Sequence, residues 1–275
     1  MMELIKELRD KTGAGMVDCK KALEEGGNDI EKAIEVLRKR GMAKAAKRGD
    51  RETSEGIVKV ATNDEHTTGY MIEIDAETDF VVRSERFQEF ANNVITLAQQ
   101  NKITTLEALL VLPMADGHSV TENLETLSGV LGEKLVIRKM DVLNAGTVVA
   151  YSHMGGRIGV LVSLDAAGVA ELGHDIAMQI AAANPRYISP EQVPQVEIDK
   201  EKAIYTEQLA KEGKPAEMIE KIMAGKINKF FEEVCLVKQE FIKDDTKKVQ
   251  DILGAAKVEK FIVYSLTGGS NCCVC

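Results

Sequence analysis

The 275-residue sequence contains no tryptophan and only five tyrosines and seven phenylalanines. Proteins that bind single-stranded nucleic acid stack the bases on aromatic side chains, and few such platforms exist here. The formal net charge is -9, and an acidic surface repels the phosphate backbone. The composition therefore favours a protein partner, and we expect no direct binding of nucleic acid.

Long apolar runs are also missing. No stretch reaches the length of about 18 apolar residues that a membrane-spanning helix needs. The first residues, Met1 to Leu4, open directly into an amphipathic pattern and lack the basic segment of a secretory signal. We therefore expect no membrane association and a cytoplasmic location.

The five cysteines are too unevenly spaced to form a disulfide framework, which fits a reducing compartment. Cys19 and Cys235 stand alone, and the other three crowd into Cys272–Cys275. Three thiols without a fourth ligand make a poor zinc site, and the C-a-a-X string that begins at Cys272 allows prenylation only formally. An ill-ordered tail is the simpler interpretation.

Catalytic motifs are lacking as well. The four histidines (His66, His118, His153 and His174) are scattered, and no hydrolase, phosphate-loop or dinucleotide-binding signature occurs. The glycines at 13 and 15 follow no strand and lack the Lys-Ser/Thr pair of a phosphate loop. We therefore expect no catalytic residue, no metal and no cofactor, and a protein that is not an enzyme.

The N-terminal residues have a helical apolar period. Three such segments, separated at Gly13–Gly15 and Gly26–Asp29, predict a three-helix head in a first domain at 1–52. Asn28 or Asp29 can cap the third helix, which we expect to end near residue 40. The basic stretch Arg38–Arg48 then has six cations and no acid, which is typical of a solvated face or linker. The alternative is a surface that grips RNA phosphates.

From residue 55 the apolar period changes to two, which is typical of strands. A strand-turn-strand pattern followed by a helix occurs twice, ninety residues apart, with helices expected at 87–98 and 172–183. The sequence therefore predicts an α+β fold whose core is a duplicated antiparallel sheet/helix arrangement, with subdomains at 53–140 and 141–275. The landmarks that coincide are Gly56 with Gly146, Gly69 with Gly159, and Asp75 with Asp165.

The two copies differ just after this last landmark. Only the first copy continues with Thr78-Asp79-Phe80-Val81. One interpretation makes Thr78 or Asp79 a helix cap and Phe80 a buried core residue. The other makes Phe80 an aromatic wedge beside a carboxylate at a strand-to-helix corner, where a rigid ring can anchor an interface.

A helical hairpin is predicted at about 190–230, as an insertion in the second subdomain. Its first helix covers Val196–Lys211, with Ile204, Tyr205 and Leu209 facing inward. Its second helix carries a Met and Ile stripe that ends at Phe230. This stripe is interpreted as the seam between the two helices or as a self-association face that would make a homodimer.

Several of these segments together resemble the translation elongation factor Ts family, nearly from end to end. The string Leu8–Leu23 is similar to that family's ubiquitin-associated-like N-terminal domain, and Thr78–Val81 to its central motif. Arg157–Val162 and Ile176–Met178 are similar to its second core module. The order and spacing of these segments agree with the family as well.

The resemblance implies a guanine-nucleotide exchange factor for elongation factor Tu in protein synthesis. In such a factor the motif Thr78-Asp79-Phe80-Val81 would displace Mg²⁺ from the partner's GTPase domain, with Phe80 as the wedge. The head would bind the same domain, and the second module would contact the partner's third domain. By the same resemblance the secondary contacts are Met16, Lys20, Leu131, Gly132 and His153.

Two other classes of function remain open from the residues alone. One is an RNA-binding ribosome-associated protein that uses the basic stretch Arg38–Arg48. The other is a ubiquitin-binding adaptor built on the head, which leaves most of the chain unexplained. This sequence departs from the family after the last strand. Some members have a C-terminal helix there that reaches the GTPase domain, whereas this sequence has the cysteine-rich tail.

Overall fold

A computed structural model describes residues 1–211 and 216–266, and it combines helices with sheets as the α+β prediction requires. The expected turn at 213–215 and the cysteine-rich tail lie outside the described residues. The chain forms two compact units. The first contains Met1–Ala61, Tyr70–Asp141 and Gly155–Arg157, and the second contains Thr62–Gly69, Val142–Met154 and the described chain from Ile158 onward.

The first unit begins with the predicted head of three helices: α1 (Met2–Thr12), α2 (Met16–Glu25) and α3 (Ile30–Ala46). Gly13 ends α1 with a left-handed backbone, φ 70°. Asp29 caps α3, because its carboxylate accepts a hydrogen bond from the Lys32 N–H at 3.1 Å. The buried core of the head consists of Ile5, Leu8, Ala14, Cys19, Ala22, Leu23 and Ala33.

The third helix is longer than the sequence predicts. It continues to Ala46 instead of ending near residue 40, so most of the basic stretch is helical and is not a linker. Gly41, which suggests a helix end, lies inside the helix and is buried.

The rest of the first unit is a three-stranded sheet in the order β1-β2-β3 with four further helices. The strands β1 and β2 confirm the first predicted hairpin, and α5 confirms its following helix. α5 buries one face, from Phe87 to Ala98. These elements are β1 (Glu55–Thr62), β2 (Thr68–Ala76), α4 (Asp79–Arg83), α5 (Glu85–Gln100), α6 (Leu106–Leu110), α7 (Val120–Leu131) and β3 (Leu135–Asn144).

The head is joined to the rest of this unit by the packing of α3 on α7. The two helices approach closely where Gly41 faces Gly129. A Cβ added to Gly129 would lie 2.4 Å from the Gly41 Cα, which is too close for any side chain. A Cβ on Gly41 would instead lie 3.5 Å from the Thr126 Cα, an ordinary contact. The crossing therefore depends on glycine at 129 far more than at 41.

Strand β2 buries two carboxylates on one face, Glu73 and Asp75. Glu73 pairs with Lys139 of β3 at 3.1 Å, and Asp75 pairs with Arg138. The Asp75 Oδ1 atom accepts no hydrogen bond from the described residues. Burial raises the pKa of Asp75 even though Arg138 acts in the opposite direction.

The second unit contains an antiparallel sheet in the order β4-β5-β8. Val149 pairs with Val162, and Leu161 with Ile262. Helix α8 packs on β4 and β5, and its Ile176 and Ile180 join the core. The elements are β4 (Thr147–His153), β5 (Ile158–Leu164), α8 (Ala170–Ala183), α9 (Gln195–Lys211), α10 (Ala216–Val234), β6 (Glu240–Phe241), β7 (Asp244–Lys248), α11 (Val249–Leu253) and β8 (Val258–Ser265).

Helices α9 and α10 correspond to the predicted hairpin and pack on each other. Leu209 and Phe230 are buried as expected. The Lys226 ammonium lies 5.0 Å from the centre of the Tyr205 ring. The prediction that Ile204 faces inward is wrong, since its side chain is exposed to solvent. Among the described helices, none combines the length and apolar character that a membrane span requires.

We predict that Gly129→Ala destabilises the first unit by about 2 kcal/mol, because the added methyl group must push α7 away from α3. Gly41→Ala at the same crossing is the matched control, and we expect a neutral or slightly stabilising effect because alanine favours helix more than glycine does. Urea unfolding curves measure both variants. Equal midpoints for the two would contradict the role assigned to Gly129.

A second prediction concerns the pH dependence of stability at Asp75. The folded state raises the pKa of this carboxyl above its ordinary value of 3.8, so the folded chain loses stability as pH rises through that window. The Asp75→Asn variant lacks this loss. The free energy of unfolding of the natural chain, relative to that of Asp75→Asn, should therefore be larger at pH 4 than at pH 7 in urea titrations, which means that the natural chain is relatively more stable at pH 4. The opposite trend would mean that Arg138 outweighs desolvation.

Candidate functional site

The candidate site is the turn between β2 and α5, where the short helix α4 lies. Thr78 is its N-cap, and its Oγ1 accepts a hydrogen bond from the Val81 N–H at 3.4 Å. The prediction that Thr78 caps a helix is therefore confirmed. Because α4 has only five residues, it forms a single turn, and its side chains point to either the core or the solvent.

Phe80 points to the solvent and is 83% exposed, whereas the next residue, Val81, is 8% exposed. The buried-core interpretation of Phe80 is therefore wrong. Adjacent residues of a helix point about 100° apart, and in α4 this separation places one side chain toward the core and the next toward the solvent. Val81 occupies the inward position, and the larger phenyl ring is left in water.

The C-terminal end of α4 is tied to α5. Ser84 caps α5 and donates its hydroxyl hydrogen to the Val81 carbonyl oxygen at 2.7 Å. The Gln88 side-chain amide donates to the Val82 carbonyl oxygen at 2.7 Å. These bonds satisfy the last carbonyl groups of α4, which the short helix cannot satisfy itself.

The N-terminal end of α4 is held by a carboxylate from the end of α7. The Thr78 N–H donates to Glu133 Oε2 at 3.0 Å, and the Thr78 hydroxyl donates to Glu133 Oε1 at 2.6 Å. In return, the Lys134 N–H donates to Glu77 Oε1 at 2.6 Å. We call these four residues, Glu77, Thr78, Glu133 and Lys134, the carboxylate clamp.

The carboxylate clamp is also tied to the segment that follows α3. The Lys134 ammonium donates to the Gly49 and Arg51 carbonyl oxygens at 2.7 and 2.8 Å. The Arg51 guanidinium donates to Glu77 at 3.1 Å. The Lys134 N–H and then the Arg51 side chain hold the pKa of Glu77 below its usual value, so this carboxyl group is ionised at neutral pH.

The exposed surface around Phe80 carries charges of both signs. Asp79 and Arg83 form an ion pair at 3.0 Å, and both side chains reach the solvent. An exposed pair of this kind contributes at most about 1 kcal/mol to stability. The local surface is thus one large apolar ring beside a weakly paired carboxylate.

The structure brings only some of the predicted site residues together. Gly132 ends α7 with φ 84° and directly precedes Glu133 of the clamp, with the half-buried Leu131 before it. Met16 lies in the head and is exposed, and Lys20 lies one turn further along α2. His153 belongs to the second unit, where the Tyr151 hydroxyl lies 3.1 Å from its Nδ1 atom.

Glu77, Glu133 and Lys134 belong to the site, and no local sequence pattern marks them as parts of it. Thr78, the partner of Glu133, lies 55 residues earlier, and no periodicity or local motif signals a contact at that separation. A clue was present only in the pairing of a capping threonine with an isolated carboxylate after a helix-ending glycine.

The basic stretch Arg38–Arg48 is largely occupied by contacts within its own unit. Among the described residues, five of its six cations contact an acidic side chain or a carbonyl oxygen. These contacts are Arg38 with Glu122, Lys39 with Glu35, Arg40 with Glu25, Lys44 with Asp18, and Arg48 with the Ser128 carbonyl oxygen. The arrangement favours a structural role over RNA binding.

An exposed aromatic ring on a turn that is hydrogen-bonded at both ends is typical of a protein that acts by binding another protein. Comparison with known proteins agrees with this class. Residues 77–268 match the family described as Elongation factor TS. The curated relatives include elongation factor Ts of Prosthecochloris aestuarii, 43% identical over 95% of this chain and 96% of the relative. That of Chlorobaculum tepidum is 44% identical with the same coverage, and that of Chloroherpeton thalassium is 45% identical over 90% of this chain and 89% of the relative.

The chain belongs to the elongation factor Ts family, whose members take part in translation elongation. The resemblance noted in the sequence is thereby confirmed.

We predict that Phe80→Ala leaves stability unchanged within about 0.5 kcal/mol, because the ring is already in water. Phe87→Ala is the matched comparison on α5, where the ring is fully buried, and we expect it to cost about 3–5 kcal/mol. Urea unfolding followed by circular dichroism measures both. A large loss for Phe80→Ala would mean that the ring packs against the protein after all.

Proposed function

We propose that this chain is a guanine-nucleotide exchange factor for elongation factor Tu and not an enzyme in the bond-making sense. Membership of the elongation factor Ts family supports this function. The single observation that carries the proposal is Phe80, a large apolar ring that is exposed on a turn fixed at both ends. Such a side chain contributes little to this protein alone and is suited to enter a partner.

The mechanism follows from linkage between two binding events. The partner GTPase holds GDP through its phosphates and Mg²⁺, and an exchange factor binds best to the conformation in which that grip is broken. Binding of the exchange factor then lowers the affinity of the GTPase for GDP. By linkage, GDP lowers the affinity of the GTPase for the exchange factor to the same extent. No bond is made or broken, so the factor acts only by differential binding.

In this proposal Phe80 is the wedge that enters the GTPase domain and disturbs the support of Mg²⁺. Asp79 lies beside it as the charged neighbour, while Thr78 caps the turn and Val81 anchors it to the core. Burial of a phenyl ring supplies the apolar driving force for insertion. The arrangement allows this because insertion requires no unfolding of α4.

Secondary contacts are proposed at both units. The exposed Met16 and nearby Lys20 of the head would bind the same GTPase domain, with the head acting as a ubiquitin-associated-like domain. Leu131 and Gly132 at the end of α7 lie next to the clamp. His153 in the second unit would contact the partner's third domain or its neighbourhood.

We also propose that the two core subdomains, at 53–140 and 141–275 after a first domain at 1–52, arose by duplication. Gly56 and Gly146 support this. A Cβ on Gly56 would meet the Ile74 carbonyl oxygen at 2.7 Å, and one on Gly146 would lie 3.4 Å from the carbonyl oxygen of Leu164, the residue ninety positions after Ile74. The two glycines thus pass close to equivalent ends of the following strand, at the predicted offset.

Two further parts of the proposal concern the setting of the protein. We place it in the cytoplasm, where translation elongation occurs. The hairpin α9-α10 is the proposed surface for homodimerisation, supported by the exposed apolar side chains of Val196 and Ile204.

The direct test of the function is the release of fluorescent GDP from elongation factor Tu, with and without this chain, at low and high salt. We expect marked acceleration that persists at high salt, because an inserted ring is insensitive to ionic screening. Acceleration that disappears with salt would point to phosphate or surface-charge contacts instead. Absence of acceleration at both salt concentrations would refute the proposed function.

We predict that Phe80→Ala lowers the GDP release rate by roughly tenfold to a hundredfold, the range of an interface hot spot. Some activity should remain, since the head and the second unit still bind. Val111→Ala removes another exposed apolar side chain of the same unit. With this variant, elongation factor Tu should release GDP as fast as it does with the natural chain. Unchanged kinetics in Phe80→Ala would refute the wedge.

A further inference from the structure

We propose that Glu133 is a positioning residue for Phe80, acting through Thr78, and that Gly132 serves the site through its backbone conformation. This inference rests on the proposed exchange function and deepens it. The resemblance to the family implies that Leu131 and Gly132 contact the partner. The geometry points instead to an internal role for Gly132, with Glu133 as the side chain through which it acts.

The helix α4 is too short to be stable by itself. A helix of five residues forms about one turn, and isolated turns of this length are unstable in water. Phe80 contributes nothing to its stability, because the ring is exposed. The bond from the Val81 N–H to the Thr78 hydroxyl, at 3.4 Å, is long for a hydrogen bond. Order in α4 must therefore come from outside the helix.

Glu133 supplies this order at Thr78, the capping residue of α4. Its two carboxylate oxygens accept from the N–H and the hydroxyl of the same residue, at 3.0 and 2.6 Å. Hydrogen bonds to an ionised acceptor are stronger than neutral ones, and two parallel bonds fix orientation as well as distance. Thr78 is thereby fixed in both its backbone and its side chain, two residues before Phe80.

The Thr78 hydroxyl links the carboxylate clamp to α4. Its hydrogen is donated to Glu133 Oε1, and its oxygen accepts from the Val81 N–H. A hydroxyl group can do both at once. Removing Glu133 would free the hydroxyl to rotate and would weaken the cap of α4. Phe80 would then sample several directions, and only a fraction of molecules would present it for insertion.

The backbone conformation of Gly132 directs Glu133 toward Thr78. Its φ of 84° lies in the left-handed region that favours glycine, and it ends α7 so that Glu133 turns back toward Thr78. A Cβ on Gly132 would meet no atom within 4 Å. Glycine is therefore needed here for its backbone conformation and not for space within the chain. Asparagine tolerates this conformation better than alanine does.

The test compares Glu133→Ala with the natural chain in the release of fluorescent GDP from elongation factor Tu, over a range of exchange-factor concentrations. We expect Glu133→Ala to lower the maximal release rate by about fivefold to thirtyfold, the loss that follows from removing hydrogen bonds to a charged group. The half-saturating concentration should change by less than about twofold, since the other contacts remain. Glu107→Ala, an exposed carboxylate on α6, is the matched control and should behave as the natural chain.

The decisive comparison repeats Glu133→Ala in a Phe80→Ala background. If Glu133 acts through Phe80, the second substitution lowers the rate by less than about twofold once the ring is gone. Equal losses in both backgrounds would overturn the proposal, because Glu133 would then act independently. Thr78→Ser keeps the hydroxyl and should retain the natural rate, whereas Thr78→Val should resemble Glu133→Ala.

Gly132 is tested by two variants in the same assay. Gly132→Asn should keep most of the natural rate, and Gly132→Ala should lose as much as Glu133→Ala. If asparagine is worse than alanine, Gly132 is needed for close approach of the partner, and its proposed backbone role is wrong.

Failure of this inference can be distinguished from failure of the proposed function. No acceleration by the natural chain would remove the function and this inference together. Acceleration by the natural chain that Glu133→Ala matches would remove only the inference. Amide hydrogen exchange gives a readout without elongation factor Tu, since protection of the Thr78 N–H should be lost in Glu133→Ala and kept in Glu107→Ala. Unchanged protection would also overturn the clamp.

Discussion

The paired hydrogen bonds between Thr78 and the Glu133 carboxylate are the interaction on which the site depends. The ring that we propose to enter another protein is exposed to water in this chain, so packing does not fix it in place. The chain solves this with polar contacts at both ends of α4, from Glu133 on one side and from Ser84 and Gln88 on the other. Phe80 can then be both exposed and directed, which lowers the entropy lost on binding.

Ion pairs within the first unit hold its helices together. The basic stretch of α3 pairs with acidic groups of α2 and α7 while the close approach of Gly41 and Gly129 sets the helix distance. The same unit carries the carboxylate clamp, so the position of the head and the position of Phe80 depend on one framework. The acidic net charge and the occupied cations together fit a protein that recognises protein and not RNA.

Much of the fold could be predicted because it is written in local periodicity. The head helices, both hairpins and the cap at Thr78 all follow from patterns within a few residues. The exposure of Phe80 could not be predicted, since a Phe-Val pair beside a strand looks like core until the helix turn decides which side chain faces inward. The pairing of Glu133 with Thr78 spans 55 residues and leaves no local signal. The apolar period predicts that α3 ends near residue 40, but the helix continues to Ala46, and Gly41 lies inside it at the crossing with α7.

In the proposed complex Phe80 moves from water into the partner, and the absence of tryptophan from this chain allows a direct measurement of that transfer. Phe80→Trp introduces a single indole whose emission and acrylamide quenching report its surroundings, with the complex of the unaltered chain subtracted as background. We expect a water-exposed spectrum in the free protein and a blue shift with protection from quenching on binding nucleotide-free elongation factor Tu. Both changes should reverse when excess GDP is added. An indole as exposed in the complex as in the free protein would contradict the account.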